Sequence, residues 1–435
     1  MNFDLQFLQP IVGISLILLI STLCSERRHD IDRLEVIKGL VFQFLLCWAL
    51  LKIPFFQYLF EGLNSAVGAI QKASAAGTSL VFGYLGGGSL PFQETTPGAS
   101  FILGFQALPM IIIFSALSAV LYHWRILPIV VTVFAWLLGR LLKVKGATSF
   151  ATVASVFVGL VEAPLLIRPY LQSLSRAELF IVMSSGMATI SGTVLVLYAS
   201  FLQQSVPNVA SHLLVASIIS APGAVILGLM VIPHERAELA PEELEHSKSE
   251  SMMVVELEAK KYHSLMEAIA EGTQQGVKLF AGVASMLIVL VALVSLANGI
   301  LSLLPDVMGS SITLQRVVGV LMQPLAWSMG IVWSDTGVAG ELMGTKLVLN
   351  EFIAYLDLSK LPPHAIEEKS RVILTYVLCG FANFGSLGIV IAGLGSMIKD
   401  RQREIIEMGA KSLLVGTLST CLSACLAAIL IFGPF

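Results

Sequence analysis

Two glutamates stand where an apolar chain does not readily tolerate a charge. Glu162 lies in the run SFATVASVFVGLVEAPLLIRPY (149–170), between Val161 and Ala163, and Glu351 lies in the apolar stretch 335–359 beside Asn350. Two further polar residues, Asn383 and Ser386, follow the second stretch as GMATIS (186–191) follows the first. Carboxylates accept from hydroxyl groups, and amides both donate and accept. Two acids and two amides at corresponding places therefore suit a ligand rich in hydroxyls, and a sugar moiety fits well. A carboxylate inside a bilayer costs a few kcal/mol on insertion scales, which makes each Glu a functional candidate. The competing reading is that each pairs with a basic residue such as Lys346 or Arg168, only to hold a turn in place.

These residues need a particular kind of element to hold them. Gly159 before Glu162 and Pro164 after it make a straight lipid-facing helix a poor fit. A re-entrant hairpin fits better, with its backbone broken at mid-depth and its freed polar groups lining a protected cavity. Glu162 is expected at that break.

Composition agrees. The chain of 435 residues is 56% hydrophobic and only 13% charged, with mean hydropathy +0.85, far from the roughly 25% charge of soluble domains. This is a polytopic membrane protein. The net charge of -3 carries little information, because orientation follows the placement of Lys and Arg and not their sum. Cys24, Cys47, Cys379, Cys421 and Cys425 lack metal-ligand spacing and read as packing thiols. The first apolar run is long enough to span and reads as a first helix, not a signal peptide.

Apolar windows of spanning length fall at 7–23, 35–53, 101–123, 178–203, 208–233, 279–304, 370–397 and 408–433. The predicted fold is all-α, with eight transmembrane helices, two re-entrant hairpins (147–173 and 335–359) and interfacial helices. Stretches 124–144 and 311–331 are apolar but interrupted, and 55–74 reads as a helix lying in the interface. With the N-terminus outside, 19 Lys and Arg fall inside and 7 outside, Lys278 among the former and Lys346 among the latter. Both termini are then expected outside. The polar run 234–263, with Glu235, Glu242, Glu243, Glu245 and Glu250, reads as a solvated linker rather than a regulatory element.

The halves on either side of that linker repeat the same order: crossing, interrupted helix, hairpin, two crossings. The expected divisions are an N-terminal scaffold (1–100), a first repeat (101–233), a linker with an interfacial helix (234–278) and a second repeat (279–435). Three crossings per repeat, an odd number, force opposite insertion. Inverted repeats with paired broken elements are the sequence signature of a secondary transporter. No HExxH or other metal cluster supports an intramembrane hydrolase.

The motifs give a more specific likeness. GTSLVFG (77–83), FQALPMIIIFSAL (105–117), VFVGLVEAPLLIRPYL (156–171), GMATISG (186–192), GTKLVLNEFIAYLDL (344–358) and CGFANFGSLGI (379–389) occur in this order. Over nearly its whole length the chain resembles the concentrative nucleoside transporter family. The resemblance implies nucleoside uptake coupled to H+ or Na+ by elevator-type alternating access, without a further cofactor. It also implies a homotrimer in a bacterial inner membrane, surrounded by lipid, with periplasmic termini and no nucleic-acid partner. By analogy, Glu351, Asn383 and Ser386 bind ribose and Phe381 lies near the nucleoside. Glu162 lies close to the base, and Leu160, Val161, Val194 and Asn350 complete the substrate set.

Two departures qualify this. Relatives read Gly-Gln-Thr-Glu or Gly-Gln-Ser-Glu at the first tip, whereas Gly159-Leu160-Val161-Glu162 stands here. An apolar pair cannot bond a base edge, so base selectivity is expected to be relaxed or redirected. The family's sodium site maps onto Ser155, Val158, Thr189 and Ile190, with Ser155 in place of an Asn. Fewer oxygens favour H+ over Na+, with Glu162 or Glu351 as carrier. The competing reading keeps the fold but carries another hydroxylated or anionic solute; a passive channel is a more distant alternative.

Overall fold

The computed structural model describes residues 5–94, 99–234, 262–307, 309 and 311–433. Among these the elements are all helices. Three N-terminal helices, Leu5–Leu23, Arg33–Lys52 and Pro54–Phe82, precede two units built to one plan. The first unit runs Met110–His123, Ile126–Leu142, the hairpin pair Gly146–Ala154 and Glu162–Leu166, the broken pair Arg176–Ala188 and Gly192–Leu202, then Val209–Val231. The second runs Leu265–Leu301, Leu314–Ser328, Thr336–Val348 with Glu351–Lys360, Glu368–Val377 with Phe384–Met397, then Gln402–Phe432.

Small residues bring the corresponding helices close. A Cβ at Gly276 would lie 2.7 Å from the Ile112 Cα, and one at Gly272 would lie 2.8 Å from the Ala116 Cα, so Leu265–Leu301 and Met110–His123 meet backbone to backbone. A Cβ at Gly344 would lie 2.9 Å from the Gly319 nitrogen in the second unit, where the interrupted helix packs on its hairpin, and Gly139 plays this part against Ser149 in the first. Small residues at such seams allow dense packing without a hydrophobic driving force. Helices Val209–Val231 and Gln402–Phe432 form the buried centre, joined by Ser220 and Ser423, whose hydroxyls lie 2.9 Å apart.

Among the described residues, six stretches are long and apolar enough to cross a membrane: Arg33–Lys52, Leu103–His123, Arg176–Leu202, Val209–Val231, Leu265–Leu301 and Lys399–Phe432. They coincide with six of the expected windows. The remaining two windows hold the shorter apolar helix Leu8–Leu23 and the broken pair that ends in Phe384–Met397.

The structure differs from the sequence reading at three places. The expected interfacial segment 55–74 is part of a 29-residue helix, Pro54–Phe82. The expected division at 278/279 falls inside the continuous 37-residue helix Leu265–Leu301, because Gly272 and Gly276 dock on Met110–His123 where Gln274, Gln275 and Lys278 lower the hydropathy. Lys346 is not an outer-loop charge. It is 3% exposed, and its Nζ donates to the Val377 carbonyl at 2.7 Å and the Thr420 hydroxyl at 3.2 Å, capping a helix end left open by the break. Of the polar linker, residues 235–261 lie outside the described residues.

Several expected inner-side charges gather at one end of the bundle. Glu26 receives Arg176 at 3.0 Å and Lys411 at 2.9 Å, and Lys143 reaches Glu35 at 2.8 Å. The Arg176 hydrogen bond, with help from Lys411, holds the Glu26 carboxyl below its ordinary range.

Candidate functional site

Each acid begins the second helix of its hairpin. Glu162 opens Glu162–Leu166 after the turn at 155–161, and Glu351 opens Glu351–Lys360 directly after Asn350. Gly159 makes the first turn possible. Its φ of +133° is one that side chains rarely adopt, and a Cβ there would sit 2.7 Å from the Glu162 Oε2. In the second turn the Asn350 Oδ1 caps the new helix by accepting from the Ile353 N–H at 3.0 Å.

The broken helices supply the other two walls. The first unwinds at 189–191 and the second at 378–383, where the Asn383 Oδ1 accepts from the Ser386 N–H at 2.7 Å and restarts the helix. Two backbone bonds link these unwound segments to their surroundings. The Phe381 N–H donates to the Thr189 carbonyl at 3.2 Å, and the Gly192 N–H donates to the Phe157 carbonyl at 3.0 Å. The first hairpin is thus tied to the first break, and the first break to the second.

All four elements converge on a cavity of about 360 Å³, within the range of small-molecule sites. The first hairpin contributes Leu160, Val161 and Glu162, and the first broken helix contributes Val194. Asn350 and Glu351 come from the second hairpin, and Phe381, Asn383 and Ser386 from the second broken helix. The structure therefore brings the whole expected substrate set to one place.

Glu351 is 5% exposed and fully engaged on its protein side. Its Oε1 accepts from the Tyr198 hydroxyl at 2.7 Å, and its Oε2 accepts from the Asn383 Nδ2 at 2.9 Å. Each oxygen keeps a further lone pair for a ligand hydroxyl. Lys346 caps Val377 instead of neutralising this acid. Arg168 opens a short turn after the first hairpin and is exposed. Glu162 differs from Glu351 in being exposed to the cavity, with its carboxyl against the backbone N–H groups of Val161 and its own residue.

Sequence reasoning missed Tyr198. Its partner lies 153 residues away, and nothing in the local string GTVLVLYAS marks it. It also missed what the apolar tip does. Leu160 packs on Gly186 of one broken helix, where a Cβ would meet its Cδ1 at 2.8 Å, and Val161 packs on Gly393 of the other, with a corresponding distance of 3.2 Å.

The expected cation set is likewise gathered. The Thr189 hydroxyl donates to the Ser155 hydroxyl at 2.9 Å, and Ser155 donates onward to the Thr152 carbonyl at 2.7 Å. The Ile190 carbonyl accepts from the Ser217 hydroxyl at 3.1 Å, and Val158 lines the cavity nearby. Hard cations of this kind take about six oxygens. The Ser155 and Thr189 hydroxyls and the Val158 and Ile190 carbonyls offer at most four oxygens, fewer than that set.

A second chamber of about 560 Å³ adjoins the first, with Ser115, Tyr122, Thr193 and Gln275 in its walls. Val158, Val161, Glu162, Lys278 and Leu279 line both chambers.

Comparison with known proteins agrees with this arrangement. Residues 12–85 and 212–428 match the family profiles "Na+ dependent nucleoside transporter N-terminus" and "C-terminus", and 104–205 match "Nucleoside recognition". The chain is 33% identical to the nucleoside permease NupC of Helicobacter pylori, over 97% of each chain. It is 32% identical to the human sodium/nucleoside cotransporter 1, over 96% of this chain and 63% of that one. The solved structure of CNTnw in an inward-facing substrate-bound state superposes with a TM-score of 0.85 at 30% identity, covering 99% of both chains. An integral membrane transporter and not an enzyme, the chain belongs to the concentrative nucleoside transporter family.

Proposed function

We propose that the chain is a secondary active symporter that takes up nucleosides across a bacterial inner membrane, with elevator-type movement of the two hairpins and two broken helices. The observation that carries this reading is Glu351, held by Tyr198 and Asn383 so that it faces a cavity of nucleoside-accommodating size. A ribose hydroxyl directed at that carboxylate donates to an acceptor already fixed in place, which spares the cost of ordering it on binding. Asn350, Asn383 and Ser386 complete a polar end, while Val194 and Phe381 supply apolar surface.

Base recognition differs from the pattern the family motif implies. With Leu160 and Val161 packed on glycines, these two residues of the first tip offer the base shape but no side-chain hydrogen bond. Purine and pyrimidine ribosides are therefore both substrates.

The coupling ion is the proton. Ser155 stands where the family pattern has a carboxamide and the set offers at most four oxygens, so the residues present fit sodium incompletely, and no step of the cycle is assigned to it. Glu351 is committed to Tyr198 and Asn383, which leaves Glu162, open to both chambers, as the carrier. A homotrimer follows from the family likeness, and periplasmic termini follow from the asymmetry of 19 inner against 6 outer basic residues once Lys346 is removed from the outer count.

The test is a thermal-shift and uptake panel on the purified protein, using purine nucleosides, pyrimidine nucleosides and free ribose, each with sodium, potassium or low pH. Nucleosides of both classes should raise the melting temperature, and uptake should follow the proton gradient. Strict uridine selectivity, or sodium dependence at fixed pH, would overturn the corresponding part of the reading.

A further inference from the structure

The opening shared by the two chambers carries one charged side chain that the reading above does not use. Val158, Val161 and Glu162 reach it from the first hairpin, whereas Lys278 reaches it from the continuous helix Leu265–Leu301, which is fixed against Met110–His123 by Gly272 and Gly276. Among the described residues lining either chamber, Lys278 is the one cation, and it is exposed.

Its position relative to the substrate follows from the two ends of the cavity. Glu351, Asn383 and Ser386 define the polar end that takes the sugar. The first hairpin lines the same cavity with Leu160, Val161 and Glu162, and Lys278 stands with Val161 and Glu162 where the cavity borders the second chamber. A riboside seated on Glu351 by its sugar presents its base to that opening. Leu160 and Val161 cannot donate to it, but an ammonium brings three donors. The Glu162 carboxylate only accepts, whereas its protonated form also donates, so the ionised form is the one that discriminates.

An acceptor beside a donor matches an N–H flanked by a carbonyl, the lactam edge of uracil and hypoxanthine. The corresponding edge of cytosine and adenine carries an amino group beside a bare ring nitrogen, so the amino group meets the ammonium or the ring nitrogen meets the carboxyl oxygen. We propose that Lys278 is a specificity-determining residue that donates to the lactam carbonyl of the bound base, so that the carrier selects by the edge of the base and not by ring size. This deepens the nucleoside reading and rests on it.

The experiment measures binding of uridine, inosine, cytidine and adenosine to the full-length purified protein, in the wild type and in K278M and K278R. Wild type should bind uridine and inosine about tenfold more tightly than cytidine and adenosine, the scale set by a hydrogen bond to a charged donor. K278M should bring the four to within about twofold of one another while discrimination against 3'-deoxyuridine persists, and K278R should retain the preference. A flat wild-type preference overturns the assignment of Lys278 and leaves the nucleoside reading standing. An unchanged ratio in K278M overturns the assignment in the same way, as does an equal loss of all four ligands. Failure of the wild type to bind any nucleoside overturns both.

Discussion

The Tyr198 hydroxyl donates to the Glu351 carboxylate at 2.7 Å and so joins the broken helix of the first unit to the hairpin of the second. The ring also stacks with Tyr355 at a centroid distance of 4.8 Å and meets Phe352 edge-on at 6.1 Å. The orientation of the acid therefore depends on a residue from the opposite repeat.

Replacing that residue by phenylalanine keeps the ring and removes the donor. Y198F should weaken nucleoside binding by about tenfold, since a hydrogen bond to a charged group contributes about 1.5–3 kcal/mol. Calorimetric titration of the purified variant checks this. Unchanged affinity would show that Asn383 alone orients Glu351.

The two acids should respond differently to neutralisation. E162Q removes the proposed proton carrier and leaves the sugar end intact, so proteoliposomes carrying it should exchange nucleoside across the membrane but fail to accumulate it against a gradient when the outside is acidified. E351Q should lose both activities, because a carboxamide turns one acceptor into a donor facing the Tyr198 and Asn383 donors. Uphill accumulation by E162Q would move the proton to another site.

The crossing of the two breaks leaves no room for a methyl group. A Cβ at Gly380 would lie 2.7 Å from the Thr420 Cγ2 and 2.9 Å from the Ala188 carbonyl oxygen. G380A should cost about 1–3 kcal/mol by overpacking, read as a lowered melting temperature. Gly68, in Pro54–Phe82, has nothing within 4 Å of such an atom. G68A is the control, and it should be neutral or stabilising by up to about 1 kcal/mol.

At the charged end of the bundle, Arg176 and Lys411 lower the pKa of Glu26 in the folded state. A group lowered on folding adds stability above its unfolded pKa and loses that contribution as pH falls through its folded value. E26Q should therefore melt below wild type at neutral pH, and the gap should close in acid, beneath the usual carboxylate range. A gap that widens in acid would reverse the assigned sign.

Much of this arrangement could be read from the chain. Gly159, Pro164 and an acid inside one apolar run could not form an ordinary span, and the same offence to lipid at Asn350 and Glu351 marked the second hairpin. Breaks are legible because they violate a local rule. Long-range partners are not, and neither the Tyr198 hydroxyl nor the Lys346 anchor on Val377 has a local signature. The division drawn at 278/279 failed for a related reason. Hydropathy measures exposure to lipid, whereas Leu265–Leu301 continues through Gln275 and Lys278 because it packs on a neighbouring helix and borders the second chamber. The closed hydroxyl pair of Ser155 and Thr189 lay between these cases: the residue types were visible, and their commitment to each other was not.

The backbone bond from Phe381 to Thr189 has a mechanical consequence. The first unwound segment supplies the acceptor for an amide of the second, so displacing either one alone would leave the Phe381 N–H without its partner.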